Sequence, residues 1–485
     1  MFAATVISSC NTVDFGDTND NPNGPTAHIT SQLLSSAQVS VKDVITNVNG
    51  INYVQHITEG QYPGPSRYQT VNFSYNSWYT GPVQNLNRII EVNEDVDLAP
   101  TVATFGDNDN QIAVSKLLRA YFLHYMTDTW GALPWTEAFK GISGTQPKFD
   151  SQQELYTYMF AEIDEALGKI NANKGPQGDL LFGGDMDKWA TFGNTLKMIM
   201  ALRISDADVT TAKTKFEEAV ASGKLITNNS QNLRFTFGSD ETSDNPWEDR
   251  FFSREDYIMS ETMIGFLNAK ADPRKTKYTK PAANGPTAAN GMDAYAGAPN
   301  GKVNGNTSDF AFITDTVIGD PVYKVAIYTA AQTHFSLAEV KLRFPGWNSG
   351  AGTAADHQKM GIEASMMDWG VAAADMNAYT AANPGATITD IAYEKYMALY
   401  LNGPEAWAEW RRLDAPVLTP SAFALDPRGK FWDSDNIKQA LAMRDFMESF
   451  RESGGVTKGQ SPINEKDARQ FANQLNQFFR RQKLH

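Results

Sequence analysis

Residues 112–138 read IAVSKLLRAYFLHYMTDTWGALPWTEA, and this stretch decides the fold class. Val114, Leu117, Leu118, Tyr121, Phe122 and Tyr125 recur at helical spacing, while Lys116, Arg119 and His124 fall elsewhere. That period is a helix with one face turned to a core. Gly131 supplies a C-cap, and Pro134 cannot continue a helix, so Trp130-Gly-Ala-Leu-Pro134 is a helix stop. Working outward, residues 152–170 repeat the pattern, with Asp150 or Ser151 as N-cap. Further helices are predicted at 82–92, 187–205, 210–222, 255–270, 324–343, 356–373, 388–402, 403–412 and 434–452. No stretch alternates apolar and polar residues for long, so strands are expected to be few and short. The class is mainly α, with helices packed as antiparallel pairs.

Two irregular stretches interrupt the helices. Residues 280–319 are rich in Gly, Asn, Ala and Pro, a loop long enough to suggest function. Residues 53–79 carry Tyr53, Tyr62, Tyr68, Phe73, Tyr75, Trp78 and Tyr79.

Composition narrows the function. With 42 Lys+Arg against 56 Asp+Glu, the net charge of the 485-residue chain is −14. It has no basic block to grip a phosphate backbone, which excludes nucleic acid as a partner. Apolar runs fall short of the ~18 residues a spanning helix needs. The chain has one cysteine, Cys10, behind a short apolar run and the small residues Ser8 and Ser9. Ile7-Ser-Ser-Cys10 looks like a bacterial lipoprotein cleavage box, so residues 1–10 are read as a partial signal ending in the lipidated Cys10. No Lys or Arg precedes Lys42. The basic start of a signal peptide is therefore missing, and Met1 is read as an internal start. Residues 11–30 are too polar to form a core and are read as a tether. Asp17, Asn19 and Asn21 mimic a calcium loop, but Pro22 and His28 occupy the positions that need Gly and Glu.

Six segments in order resemble the SusD/RagB family, in its shorter SusD-like branch. Tyr125-Met-Thr-Asp128-Thr-Trp-Gly131-Ala-Leu-Pro134-Trp-Thr-Glu137-Ala is similar to the family's helix end. Pro147-Lys-Phe149-Asp150 leads to Tyr156, and Gly184-Asp185 through Trp189, Asn194 and Lys197 leads to Arg203. Asp256-Tyr257 precedes Asp272-Pro273-Arg274. Ala338-Glu339-Val-Lys-Leu-Arg343 runs to Trp347, and Gly403-Pro-Glu405-Ala-Trp407-Ala-Glu409-Trp-Arg411-Arg412 precedes Pro416. The tail at 417–485 departs from the family pattern, which usually closes on a "YP-x-x-E-x-x-x-N" segment.

The resemblance implies a SusD-like helical fold with tetratricopeptide-like pairs, here one domain over 31–485 with 280–319 as a loop insertion. It implies a surface-exposed lipoprotein of the bacterial outer membrane, held by its lipid anchor alone. Its partner would be a TonB-dependent, SusC-like transporter and its ligand an oligosaccharide or a peptide. Neither a cofactor nor a metal is called for.

The motif residues themselves read as structure. Glu405, Glu409 and Arg412 are expected to form solvated ion pairs within one helix, and Trp407 to belong to the core. Ligand binding falls on loop aromatics, because a rigid ring gives a sugar face contact area at low entropic cost. The loop after Asp272-Pro-Arg274 offers Tyr295, Phe310 and Phe312, while Trp78 and Tyr79 form a second group. Tyr295 is the least core-like by context. Two other classes are a glycoside hydrolase and a purely structural protein. A glycoside hydrolase needs two positioned carboxylates, and no spacing singles out a pair; a purely structural helical-repeat protein needs no ligand at all.

Overall fold

Local capping chemistry starts most of the long helices. Asp107, Ser151, Asp185, Asp208, Ser260, Thr329, Thr353 and Thr387 each accept a backbone N–H of the following turn. Ser151/Glu154, Thr353/Asp356 and Thr387/Asp390 complete reciprocal capping boxes. At the other end of the deciding helix, Gly131 takes φ +80° and donates its N–H to Thr127 O at 2.8 Å. The computed structural model describes residues 29–419 apart from 69–73, 141–143, 145, 242, 305 and 386. Cys10, residues 11–28 of the expected tether and the helix expected at 434–452 lie outside the described residues, while Thr30, the last residue of that tether, is helical and buried.

The longer helices are α1 (Thr30–Val39), α2 (Gln84–Glu94), α3 (Asn108–Trp130), α4 (Gln152–Lys169), α5 (Met186–Arg203) and α6 (Val209–Ala221). They continue with α7 (Glu261–Ala269), α8 (Ala330–Arg343), α9 (Ala354–Asp368), α10 (Ala373–Ala382), α11 (Ile388–Ala398) and α12 (Gly403–Leu413). Consecutive helices pack as pairs, α3 on α4, α5 on α6 and α8 on α9, with α11 against α8 and α12 against α11. Among the described residues, strand is limited to three two-stranded antiparallel sheets. These join β1 (Ile57–Glu59) to β3 (Tyr257–Met259), β2 (Leu233–Phe235) to β6 (Val325–Tyr328), and β4 (Thr279–Lys280) to β5 (Phe312–Ile313). The mainly α expectation holds.

Three local expectations fail. The helices expected from 255 and 324 open with strands β3 and β6, whose partners are far away in sequence. Helices α1 and α10 fall outside the expected set. The loop 280–319 is not a solvent-facing insertion either. Its backbone joins the sheet edges, with Met259 N donating to Ala311 O (2.9 Å), Ala298 N to Met259 O (2.8 Å) and Asn304 N to Gly60 O (2.7 Å). Asn290, Asn300 and Asn304 are buried in it. Backbone and amide hydrogen bonds hold this segment where apolar residues are scarce.

The family motifs converge on buried charge. Glu339 of α8 accepts from Arg343 Nη1 (2.7 Å) and from both terminal nitrogens of Arg412, and lies 3.7 Å from Lys395 Nζ. Glu409 pairs with Lys395, Arg412 (2.7 Å) and Arg203 (3.0 Å). Arg203 also reaches Glu405 at 2.8 Å and Asp128 at 3.1 Å. Glu409 and Arg412 are therefore not solvated pairs; helices α5, α8 and α11 bring buried counter-charges onto α12. A second cluster holds the fully buried Arg274. It donates to Asp272 through Nε (3.0 Å) and Nη2 (2.6 Å), to Glu394 (2.6 Å) and to Ser365 (3.2 Å). Trp410 is buried, whereas Trp407 is only half-buried, between Tyr53 and the Arg411 guanidinium 3.9 Å from its ring centre.

Burial also gives the fold a pH dependence. His56 is fully buried, edge-on to Tyr396 at 4.3 Å, and burial lowers its pKa to about 3 from 6.5. The unfolded chain binds this proton below pH 6.5 and the folded chain does not. The stabilisation is thus present above pH 6.5 and is lost progressively as the pH falls from 6.5 toward 3. At pH 5 the slope from this one residue is about 1.4 kcal/mol per pH unit. Urea unfolding at pH 7 and pH 5 is expected to show a smaller pH effect in His56→Phe than in the parent. An equal pH effect in both would assign the acid sensitivity elsewhere.

Candidate ligand-binding surface

The aromatic residues from 75 to 139 meet where the turns leading into α2, the end of α3 and the segment after α3 come together. Tyr79 is half-buried and its hydroxyl donates to Pro134 O at 2.6 Å. Its ring centre is 5.9 Å from Tyr75, 5.9 Å from Trp135 and 5.6 Å from Phe139. Trp130 stands edge-on to Tyr75 at 5.9 Å and to Tyr125 at 5.8 Å. Tyr75, Tyr79 and Trp130 are half-buried, Phe139 is 40% exposed, and Trp135 is buried beneath them.

The platform rests on a fixed base. Asp150 is buried and accepts from Trp135 N (3.0 Å), Thr136 N (2.7 Å) and Thr136 Oγ1 (2.8 Å). Burial opposes its charge, yet these donors hold its pKa below the ordinary carboxylate value. At the end of α3, Asp128 accepts from Tyr156 Oη at 2.6 Å and faces His124 Nε2 at 3.2 Å and Arg203 Nε at 3.1 Å. Burial again opposes the charge of Asp128, but His124 and Arg203 outweigh it and keep its pKa well below normal. The helix-end motif is thus the foundation of an aromatic surface.

The expected binding residues sit in different settings. Trp78 turns inward, packed on Phe122 (5.7 Å) and Tyr125 (5.1 Å), and is 9% exposed. Phe310 is equally buried, in a small cluster with Ile258, Ala298 and Phe312. Both were expected to display their rings and instead pack them against neighbours. Tyr79 keeps a partly open setting. Tyr295 is half-buried, with its ring centre 5.7 Å from Lys275 Nζ. Trp130 and Phe139 were not singled out as binding residues. The signal that could have found them is the density of aromatics around the helix stop at 130–139.

Asp244, Glu248 and Asp249 bring carboxylate oxygens within 4.8 Å of one another. They lie at the start of a seven-residue helix and are a common kind of acidic group. Among the described residues, no helix is long and apolar enough to cross a membrane.

Comparison with known proteins gives two separate results. UPF0178 proteins share short stretches with this chain. The one from Sulfurimonas denitrificans is 58% identical over 62 residues, covering 13% of this chain and 41% of that protein. The one from Nitratiruptor sp. is 52% identical over 65 residues, covering 13% and 43%. The chain thus spans less than half the length of these curated relatives. A family model described as the uncharacterized YaiI/YqxD family matches residues 412–481, the stretch where the SusD-like closing segment is missing.

The fold as a whole is that of other proteins. A chitin-binding protein matches with a TM-score of 0.70 and 23% identity, covering 88% of this chain and 97% of the other. A chitin-binding SusD homolog from Flavobacterium johnsoniae matches at 0.62 and 23%, covering 81% and 86%. A SusD homolog from Bacteroides fragilis matches at 0.68 and 20%, covering 88% and 97%. The SusD-like family model, described as starch-binding and associating with the outer membrane, matches residues 22–429. That is most of the sequence, and the chain belongs to the SusD-like family.

Proposed function

We propose that this protein captures a glycan at the cell surface and delivers it to a TonB-dependent, SusC-like outer-membrane transporter. The family is one of binding proteins associated with the outer membrane, so the chain is a binding protein and not an enzyme. The observation that carries the glycan reading is the partly open aromatic platform of Tyr75, Tyr79, Trp130 and Phe139 on a rigid helical base. Such rings stack on the C–H faces of sugars, and an already fixed base spares the entropy of ordering them. Chitin binding by two proteins of the same fold supports a polysaccharide over a peptide. In this reading Tyr79 and Tyr295 contact ligand, while Trp78 and Phe310 act from behind as packing. Cys10 carries the lipid, the residues after it form the tether, and the body begins at Thr30, which opens α1 and is buried against Gln111.

Phe139→Ala is the cleanest probe, because its ring is exposed and contributes little to the core. By analogy with stacking of bases on aromatics, it is expected to weaken binding by ~1–3 kcal/mol with a thermal midpoint close to the parent. Calorimetric titration with chito-oligosaccharides, malto-oligosaccharides and a peptide pool measures this. Tyr295→Ala in the same titrations tests the second loop. If Phe139→Ala and Tyr295→Ala both bind every glycan like the parent, the aromatic reading fails.

A further inference from the structure

Two buried histidines outside the aromatic platform face each other. His334 on α8 and His357 on α9 bring their Nδ1 atoms to 3.2 Å. Their outer nitrogens each meet a backbone carbonyl, His334 Nε2 at 3.0 Å from Thr227 O and His357 Nε2 at 2.9 Å from Ala351 O. The residues are only 7% and 8% exposed.

Proton counting shows what this geometry requires. A carbonyl only accepts, so each Nε2 is best placed as an N–H donor. Two neutral rings then have no proton left for the inner contact, and two lone pairs oppose each other at 3.2 Å. Moving one proton inward leaves a bare Nε2 against a carbonyl oxygen, which is no better. One added proton satisfies all three contacts together. A second added proton would set two N–H groups against each other.

A metal ion does not fit the same gap. The ring centres are 5.4 Å apart, close to the separation of two rings meeting tip to tip at this nitrogen distance. The lone pairs are therefore aimed along one line. The midpoint lies about 1.6 Å from each nitrogen, well short of the ~2.0–2.1 Å that zinc needs.

We propose that His334 and His357 act as one clasp that holds a single shared proton between α8 and α9. The clasp also ties in the segment at Thr227 and the turn at Ala351 through the two outer hydrogen bonds. The charged groups acting on it are Asp356 of α9, which favours a proton on His357, and Lys341 of α8, which opposes it. Burial resists the charge on both rings. The first proton is held more tightly than the second, because only the second creates an N–H against N–H contact. The clasp is thus strongest between the two steps and loosens when the pH rises through the upper one.

The test is an NMR titration of the full chain with carbon-13-labelled histidine, on the parent and on His334→Gln and His357→Gln. In the parent the two rings are expected to titrate in two steps separated by more than about one pH unit, shared by both rings. In either variant the remaining ring is expected to give one step, displaced to lower pH from the parent's upper step. Amide protection on α8 and α9, taken relative to the intrinsic exchange rate at each pH, is expected to be greatest between the parent's two steps. Independent titration of both rings in the parent, unmoved by replacing the partner, would overturn the proposal. So would amide protection on α8 and α9, relative to the intrinsic rate, that ignores the upper step.

Discussion

Glu339→Gln is expected to destabilise the protein by about 3–5 kcal/mol, as breaking a buried ion pair does. The carboxylate has no exposure and neutralises part of the charge on Arg343, Arg412 and Lys395. Burial alone would raise its pKa, but Arg412 and Lys395 reverse the direction, so it is ionised in the folded protein. A neutral amide of the same shape leaves Arg412 and Lys395 on one remaining buried acid, Glu409, which Arg203 also shares, while Arg343 keeps only Asp206. Equilibrium urea unfolding at pH 7 measures the loss. Lys359→Ala is the matched control: it removes an exposed partner 3.8 Å from Glu363, and should change stability by no more than about 0.5 kcal/mol. Equal, small effects of the two substitutions would mean that the network does not hold the helices together.

Arg274→Met is expected to be at least as damaging, about 3–5 kcal/mol, because it leaves Asp272 and Glu394 buried without their shared cation. The guanidinium matters beyond its charge. It donates to Asp272 through two nitrogens and reaches Glu394 and Ser365 with the rest of the fork. An ammonium is a point charge that cannot reproduce that planar arrangement. Arg274→Lys should therefore recover only part of the loss. Tyr379 donates to the other oxygen of Glu394 at 2.6 Å and Lys270 Nζ lies 3.7 Å from it, so that group keeps two partners in either variant. In Arg274→Met, by contrast, Asp272 loses its only cation among the described residues. Thermal melts of both variants beside the parent decide the matter. Full recovery by lysine would show that charge alone is required.

These two clusters explain why the family motifs are spaced so widely along the chain. Asp128, Arg203, Glu339, Lys395, Glu409 and Arg412 belong to five different helices and form one connected set of buried charges. Each member is costly when alone and tolerated when paired. The network fixes which helix faces meet and thereby supports the helix end beneath the aromatic platform.

The sequence by itself determined what depends on neighbours a few residues away. The apolar spacing of Val114 to Tyr125, the stop at Gly131 and Pro134, and the cap at Ser151 are local, and α3 and α4 follow from them. The ordered motifs likewise sufficed for the family. Tertiary structure alone decided what depends on partners far along the chain. Tyr257–Met259 and Val325–Tyr328 are strands because Ile57–Glu59 and Leu233–Phe235 pair with them. Glu409 and Arg412 look like a surface pair in sequence and are buried because Glu339, Lys395 and Arg203 arrive from other helices. The same limit applies to the aromatics. Trp78 and Tyr79 are adjacent in sequence, yet one packs on Phe122 while the other joins Phe139 at the surface. The direction of a ring is set by the helices packed around it, and a single sequence carries no local record of those neighbours.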